Sequence, residues 1–191
     1  MTPIEIYFEQ TPNPESLKLV TSQILLPNII IDRRRGEDTK EFPLAESLFE
    51  KYDWISGVFV SNNFVTITKD SPNDWYEYMN EVREFIKMYI QNRFDIVSKS
   101  YLDSQIASHV SENDDSIEGK IKDLLEKYVR PAVERDGGFI SFHSFQDGIV
   151  KLKMQGSCSG CPSSQITLKS GIEGLLKRMV PEVMEVEAEA G

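Results

Sequence analysis

Between Ser98 and Asp115 the sequence is polar and carries no sustained hydrophobic period. No other feature constrains the fold as strongly, because a segment without a helical or strand period offers no face to bury. One continuous core cannot run through it. The chain therefore reads as two small mixed α+β domains joined by a polar linker: 1–97, linker 98–115, and 116–191. A length of 191 residues accommodates one or two domains. The stretch reads as a linker or as a poorly ordered helical extension between the domains.

Within the first domain, Ile4-Glu5-Ile6-Tyr7-Phe8 alternates like a strand, and Thr11-Pro12-Asn13-Pro14 interrupts it. A second apolar stretch runs from Leu17 to Leu26. Leu44, Leu48 and Tyr52 recur at helical spacing behind Pro43, which suits a first-turn proline. Val58-Phe59-Val60 and Phe64-Val65-Thr66-Ile67-Thr68 flank a Ser61-Asn62-Asn63 turn and form a candidate hairpin. Trp75, Met79, Val82, Phe85, Ile86 and Tyr89 mark the apolar stripe of a helix starting near Asp74, and core packing accounts for them. No catalytic grouping of residues occurs here. Arg33-Arg34-Arg35, beside Asp32, Glu37 and Asp38, reads as a solvated loop.

In the second domain Ile117, Ile121, Leu124, Leu125, Tyr128, Val129 and Val133 lay down a helical stripe. Asp136-Gly137-Gly138 ends it, as glycine does past a helix C-terminus; the pair could also admit a close backbone approach near a metal site, but the helix stop accounts for it. Two strand patterns, 139–142 and 149–154, flank Gln146-Asp147-Gly148, a hairpin signature. Ile166, Leu168, Ile172, Leu175, Leu176 and Met179 give a last helix, stopped by Pro181. Val183, Val186 and Ala188 suggest a final short strand. A unit of this size buries a limited core, which a metal or a partner subunit often helps to hold.

The chain is acidic, with 21 Lys/Arg against 31 Asp/Glu, net −10. That excludes sequence-independent binding to nucleic-acid phosphates. No apolar run approaches the roughly 18 residues of a membrane helix. Two cysteines cannot staple a secreted scaffold. The start, Met1-Thr2-Pro3-Ile4-Glu5, resembles neither a signal nor a transit peptide. The expectation is a soluble cytoplasmic protein without a membrane or nucleic-acid partner. One stretch departs from the acidic average: 149–180 holds Lys151, Lys153, Lys169, Lys177 and Arg178 against the single acid Glu173.

Both cysteines lie within that stretch, in Gly156-Ser157-Cys158-Ser159-Gly160-Cys161-Pro162-Ser163-Ser164. Cysteines three apart can aim both sulfurs at one metal ion if the backbone between them turns tightly, and Gly156 and Gly160 permit such turning. Pro162 then starts a helix. Its free amide groups and the nearby Lys151, Lys153 and Lys169 are expected to favour thiolate over thiol and to suit an anionic cluster. The motif has three readings: a redox dithiol, half of a zinc site, or half of an iron–sulfur site. A preceding hairpin, in place of a βαβ strand, weakens the redox reading. Zinc needs further ligands, and His109, in the linker, and His143, on a strand, stand alone. A four-thiolate cluster needs four cysteines, and one chain supplies two. Two chains about a two-fold axis supply the full set, so the ligand count predicts a metal-linked homodimer.

These residues carry a family resemblance. The runs 128–138 (Tyr-Val-Arg-Pro-Ala-Val-Glu-Arg-Asp-Gly-Gly), 156–164, 167–173 (Thr-Leu-Lys-Ser-Gly-Ile-Glu) and 180–183 (Val-Pro-Glu-Val) resemble the C-terminal domain of NifU-like (Nfu-type) iron–sulfur cluster proteins. Thr11-Pro12-Asn13-Pro14, Pro43-Leu44-Ala45-Glu46-Ser47-Leu48-Phe49 and Phe64-Val65-Thr66-Ile67-Thr68-Lys69 resemble that family's N-terminal domain; Phe42 departs from the small residue usual before Pro43. The resemblance implies that Cys158 and Cys161, with their symmetry mates, hold a [4Fe–4S] cluster. It further implies a scaffold or carrier, not an enzyme, that takes clusters from upstream donors and passes them to apo iron–sulfur proteins.

Overall fold

A computed structural model of the chain describes residues 4–70, 72, 74–108, 116–159 and 162–190, of which 106–108, 162–164 and 190 are described as backbone only. The chain divides into two units, Met1–Val110 and Ser111–Gly191, each mixing helices with strands. Among the described residues no helix is long and apolar enough to cross a membrane.

The first unit holds five strands: β1 (Ile6–Gln10), β2 (Ser16–Thr21), β3 (Leu26–Arg34), β4 (Ile55–Asn62) and β5 (Phe64–Lys69). They lie in the order β1-β2-β5-β4-β3, with every neighbouring pair antiparallel. The expected hairpin is β4–β5, turned where Asn62 takes a φ of +43°, a conformation that asparagine tolerates. The apolar stretch 17–26 is not one element: β2 ends at Thr21 and Leu26 opens β3. Helix α1 (Pro43–Lys51) has Pro43 in its first turn. Helix α2 (Trp75–Gln91) is capped by Asp74, whose carboxylate accepts from the Tyr76 amide at 3.1 Å. Leu19, Ile31, Val58, Val60, Val65 and Ile67 share a core with Leu44 and Leu48 of α1 and Val82 and Ile86 of α2. Tyr89 lies in that core, and Trp75 and Phe85 pack against it.

One expectation in this unit is corrected and another is sharpened. Of the two readings of 98–115, the helical one describes Lys99–Ser108, which forms helix α3. Tyr101 and Leu102 pack against the first core, and Tyr101 meets Phe42 edge-on with ring centroids 4.9 Å apart. Two adjacent anchors among polar residues make no period, so the pattern alone leaves the helix undecided. The arginine triplet is not a solvated loop. The Arg33 guanidinium sits 3.8 Å from the centre of the Phe42 ring. Arg35 donates to three carbonyls: Nε to Ile55 at 2.7 Å, Nη1 to Phe49 at 3.0 Å and Nη2 to Tyr52. Phe49 and Tyr52 stand at the end of α1, where helix carbonyls run out of intrahelical donors; the Tyr52 carbonyl also accepts from the Ile55 amide at 3.4 Å.

The second unit begins with α4 (Ile117–Leu124), capped by Ser116, whose hydroxyl accepts from the Gly119 amide at 3.1 Å. A π-helical turn, Leu125–Val129, follows before α5 (Arg130–Arg135). Pro131 explains the widening. It has no N–H to offer the Lys127 carbonyl and its ring presses on that group, so the helix takes one wider turn instead of breaking. Strands β6 (Gly138–Gln146) and β7 (Ile149–Gly156) form the expected hairpin, with Asp147 and Gly148 at φ +50° and +80°. Helix α6 (Pro162–Met179) leads to β8 (Glu185–Ala190), which pairs in parallel with β7. The core gathers Ile140, Val150, Leu152, Met154 and Val186 from the sheet with Ile121, Val133, Ile172 and Leu176 from the helices.

The fold turns on Arg35 for the end of α1. Replacing it with alanine leaves three carbonyls short of a donor and is expected to lower stability by roughly 2 kcal/mol. Both tryptophans, Trp54 and Trp75, belong to the first unit, so their fluorescence during urea unfolding of the full chain reads the effect. Arg35→Lys should recover little, since an ammonium cannot present the guanidinium fork. An unchanged midpoint in Arg35→Ala would contradict this assignment.

Candidate functional site

The site is built where β7 ends. Gly156 takes a φ of +66°, which lets the chain leave the sheet. Ser157–Ser159 then forms a single 3₁₀ turn carrying Cys158, and α6 starts at Pro162. Four hydrogen bonds fasten this turn. The Ser157 hydroxyl donates to the Asp136 carbonyl at 2.5 Å and its amide donates to the Gly137 carbonyl at 3.2 Å. The Ser159 hydroxyl donates back to the Gly156 carbonyl at 2.9 Å, and Gln165 Nε2 donates to the Ser159 carbonyl at 2.9 Å. Of the two expected ligands, Cys158 is therefore placed. Cys161 and Gly160 lie outside the described residues, as does His109.

The glycine pair at the end of α5 serves two separate purposes. Gly137 takes a φ of +81° and stops the helix. Gly138 has no positive φ, yet a Cβ built on it would lie 2.6 Å from Cys158 Sγ and 2.8 Å from the Gln155 carbonyl oxygen. The β6–β7 register, in which Gly138 faces Gly156, brings these groups together. The close-approach reading of the glycine pair therefore holds for Gly138 and the helix-stop reading for Gly137. The role of Ser157 as a tie to Asp136 and Gly137 is what sequence reading misses, because those partners arrive through strand pairing.

The expected thiolate is not what the turn provides. Cys158 joins the second core and is 6% exposed. Burial pushes its thiol up to about 11; contact with the Ser157 hydroxyl opposes the shift, and the Asp136 carboxylate adds to it. No lysine is among the groups that move the thiol, and three lysines of the basic stretch have acidic partners, two of these on β8 and one on α6. Lys151 Nζ lies 3.5 Å from Glu187, Lys169 Nζ 3.9 Å from Glu185, and Lys177 Nζ 2.5 Å from Glu173. Lys153 stands opposite Glu189 in the strand register. Much of the local positive excess of the sequence is thus paired with acidic side chains in the fold.

Topology also removes one argument against a redox dithiol. Since β8 runs parallel to β7, the cysteine turn does lie between a strand and the crossover helix of a βαβ unit. A different observation counts against that reading: an attacking thiol needs a depressed pKa and access to solvent, and Cys158 has neither. His143 is exposed at the register shift toward the far end of β6 and does not join the turn. Among the described residues no group of three or more His, Cys, Asp or Glu could hold a metal ion. A thiol can still become a metal ligand here, with the metal displacing its proton.

Comparison with known proteins gives two family matches. Residues 121–187 match the NifU-like domain, and residues 6–93 match the N-terminal domain of the scaffold protein Nfu/NifU. A NifU-like protein of Schizosaccharomyces pombe is 35% identical over 187 residues, covering 96% of this chain and 72% of that protein. The human protein named NFU1 iron-sulfur cluster scaffold homolog, mitochondrial, is 36% identical over 183 residues, covering 95% and 70%. Its namesake in Drosophila sechellia is 37% identical over 183 residues, covering 95% of this chain but 64% of its own length.

Because the folded chain keeps the Cys158 thiol neutral, the stability gained from that burial is intact below the ordinary thiol value of 9.0. It is lost as pH rises from there to about 11. In a Cys161→Ser chain, where Cys158 is the sole thiol, the rate of alkylation by iodoacetamide should still be climbing well above pH 9.0. A profile that levels off at or below the ordinary value would contradict the burial described here.

Proposed function

The chain belongs to the NifU-like (Nfu-type) family of iron–sulfur cluster scaffold proteins, and from that premise we propose that it carries a [4Fe–4S] cluster between two protomers. Cys158 and Cys161 of each chain supply the four thiolates. The cluster arrives from upstream donors and is handed to apo-proteins during iron–sulfur cluster assembly. The observation that carries this reading is the ligand count at one turn: two cysteines in the whole chain, three apart, between β7 and α6. A single chain holds half of a four-thiolate site, and an isologous pair of chains completes it.

The chain's own residues have simple tasks in this scheme. Gly156 lets the turn leave the sheet, and the bonds of Ser157 and Ser159 hold the backbone on either side of Cys158. The protonated Cys158 gives up its proton as the cargo binds, so uptake releases protons. Delivery is ligand exchange, in which an incoming target thiolate takes the place of a scaffold thiolate. No substrate bond is cut by a positioned acid and base, so the protein acts as a carrier and not as an enzyme. The first unit has no part in ligation; docking of targets is the role we assign to it. Thiols that must stay reduced fit the cytoplasm, whereas the human and fly relatives carry the word mitochondrial in their names.

Anaerobic incubation with iron and sulfide tests the proposal. The expected product is brown, elutes as a dimer and contains about half a cluster per chain. Cys158→Ser and Cys161→Ser should each abolish it. Mixing the loaded protein with an apo iron–sulfur protein should move the colour to the target. A colourless monomer that reduces disulfides, or a product holding zinc without sulfide, would contradict the carrier reading.

A further inference from the structure

We propose that Gly138 is a positioning residue for the cargo ligand: its bare Cα forms a seat in which the Cys158 sulfur rests while the chain carries no cluster. The inference rests on the carrier reading and concerns what the protein does between two loads. Glycine at this position is not explained by backbone conformation, since Gly138 lacks the positive φ of Gly137, Gly148 and Gly156. Space explains it. A Cβ on Gly138 would come within 2.6 Å of Cys158 Sγ and 3.2 Å of Cys158 Cβ. Separations as short as the first do not occur between real side chains, so any other residue displaces the sulfur.

A sulfur in this seat is not in the position of a shared ligand. A cluster between two chains has to be reached from outside each of them, and Cys158 is 6% exposed and part of the second core. The sulfur therefore has two positions, one seated against Gly138 and one turned out to the cargo. Contacts made only in the seated position stabilise the cluster-free chain and lower its net affinity for cargo by the same factor. For a carrier that is useful, because each handover returns the sulfur to a prepared site.

The test reads Cys158 in the Cys161→Ser chain without any cluster. At one fixed, mildly alkaline pH, alkylation of the folded chain should be at least roughly tenfold slower than in urea. Adding Gly138→Ala should remove most of that protection while circular dichroism still reports a folded chain. Gly174→Ala, where a new Cβ meets nothing within 4 Å, should leave the protection intact. Equal rates in the folded and the urea-treated chain, or full protection in a folded Gly138→Ala chain, would overturn the proposal. If Gly138→Ala fails to fold, Cys158→Ala decides the matter. A seat for sulfur predicts that Gly138→Ala is tolerated better once the sulfur is gone. An equal cost with and without the sulfur assigns Gly138 to the Gln155 carbonyl instead and overturns the seat. In the chain with both cysteines, loaded Gly138→Ala should yield its cluster to a chelator roughly threefold more slowly than the unaltered chain, and an equal or faster release contradicts the proposal. Should the unaltered chain take up no cluster at all, the carrier reading falls, while the alkylation and stability results still decide the seat.

Discussion

The pairing of β6 with β7 organises the second unit. Its register sets Gly138 opposite Gly156, and everything at the cysteine turn is reached from that pair. Gly156 turns the chain out of the sheet, Ser157 ties the turn to the carbonyls of Asp136 and Gly137, and Cys158 comes to rest on Gly138. The hydrogen bonds of Ser157 join residues about twenty positions apart, so the turn holds its shape only while the hairpin is formed. The geometry around Cys158 and the stability of the fold are here the same set of contacts.

Charge behaves differently in the folded chain than along the sequence. The lysines of 149–180 stand out against an acidic background when read in order. The parallel placement of β8 then lays Glu185, Glu187 and Glu189 alongside β7, opposite Ile149, Lys151 and Lys153, while Glu185 also approaches Lys169 of α6. These exposed ion pairs contribute little to stability, and no lysine is among the groups that move the Cys158 thiol. What controls Cys158 is burial, and burial favours the proton. On the carrier reading proposed above, the thiolate would come from the metal itself and not from the protein's electrostatics.

Strongly periodic elements are legible in the sequence: α2 behind Asp74, the β4–β5 and β6–β7 hairpins with their Asn and Asp-Gly turns, and α6 behind Pro162. Each carries its instruction locally. Features that depend on distant partners are not legible. Helix α3 is anchored through Tyr101 and Leu102 and by the Ser100 hydroxyl donating to Glu41, Arg35 reads as a surface residue until it meets the end of α1, and the parallel partner of β7 is separated from it by all of α6. The site divides along the same line. Cysteine spacing and count are written in the sequence, whereas the reason for Gly138 and the protonation of Cys158 come from packing.

The central claim is that one chain holds half of a binding site and that cargo joins two chains. Native mass spectrometry of the anaerobically reconstituted protein addresses it directly, since it weighs the intact assembly. The expected species is two chains plus the mass of one cluster, falling to single chains when a chelator strips the metal. A cluster retained by a single chain, or two chains joined with no added iron and sulfide, would contradict it.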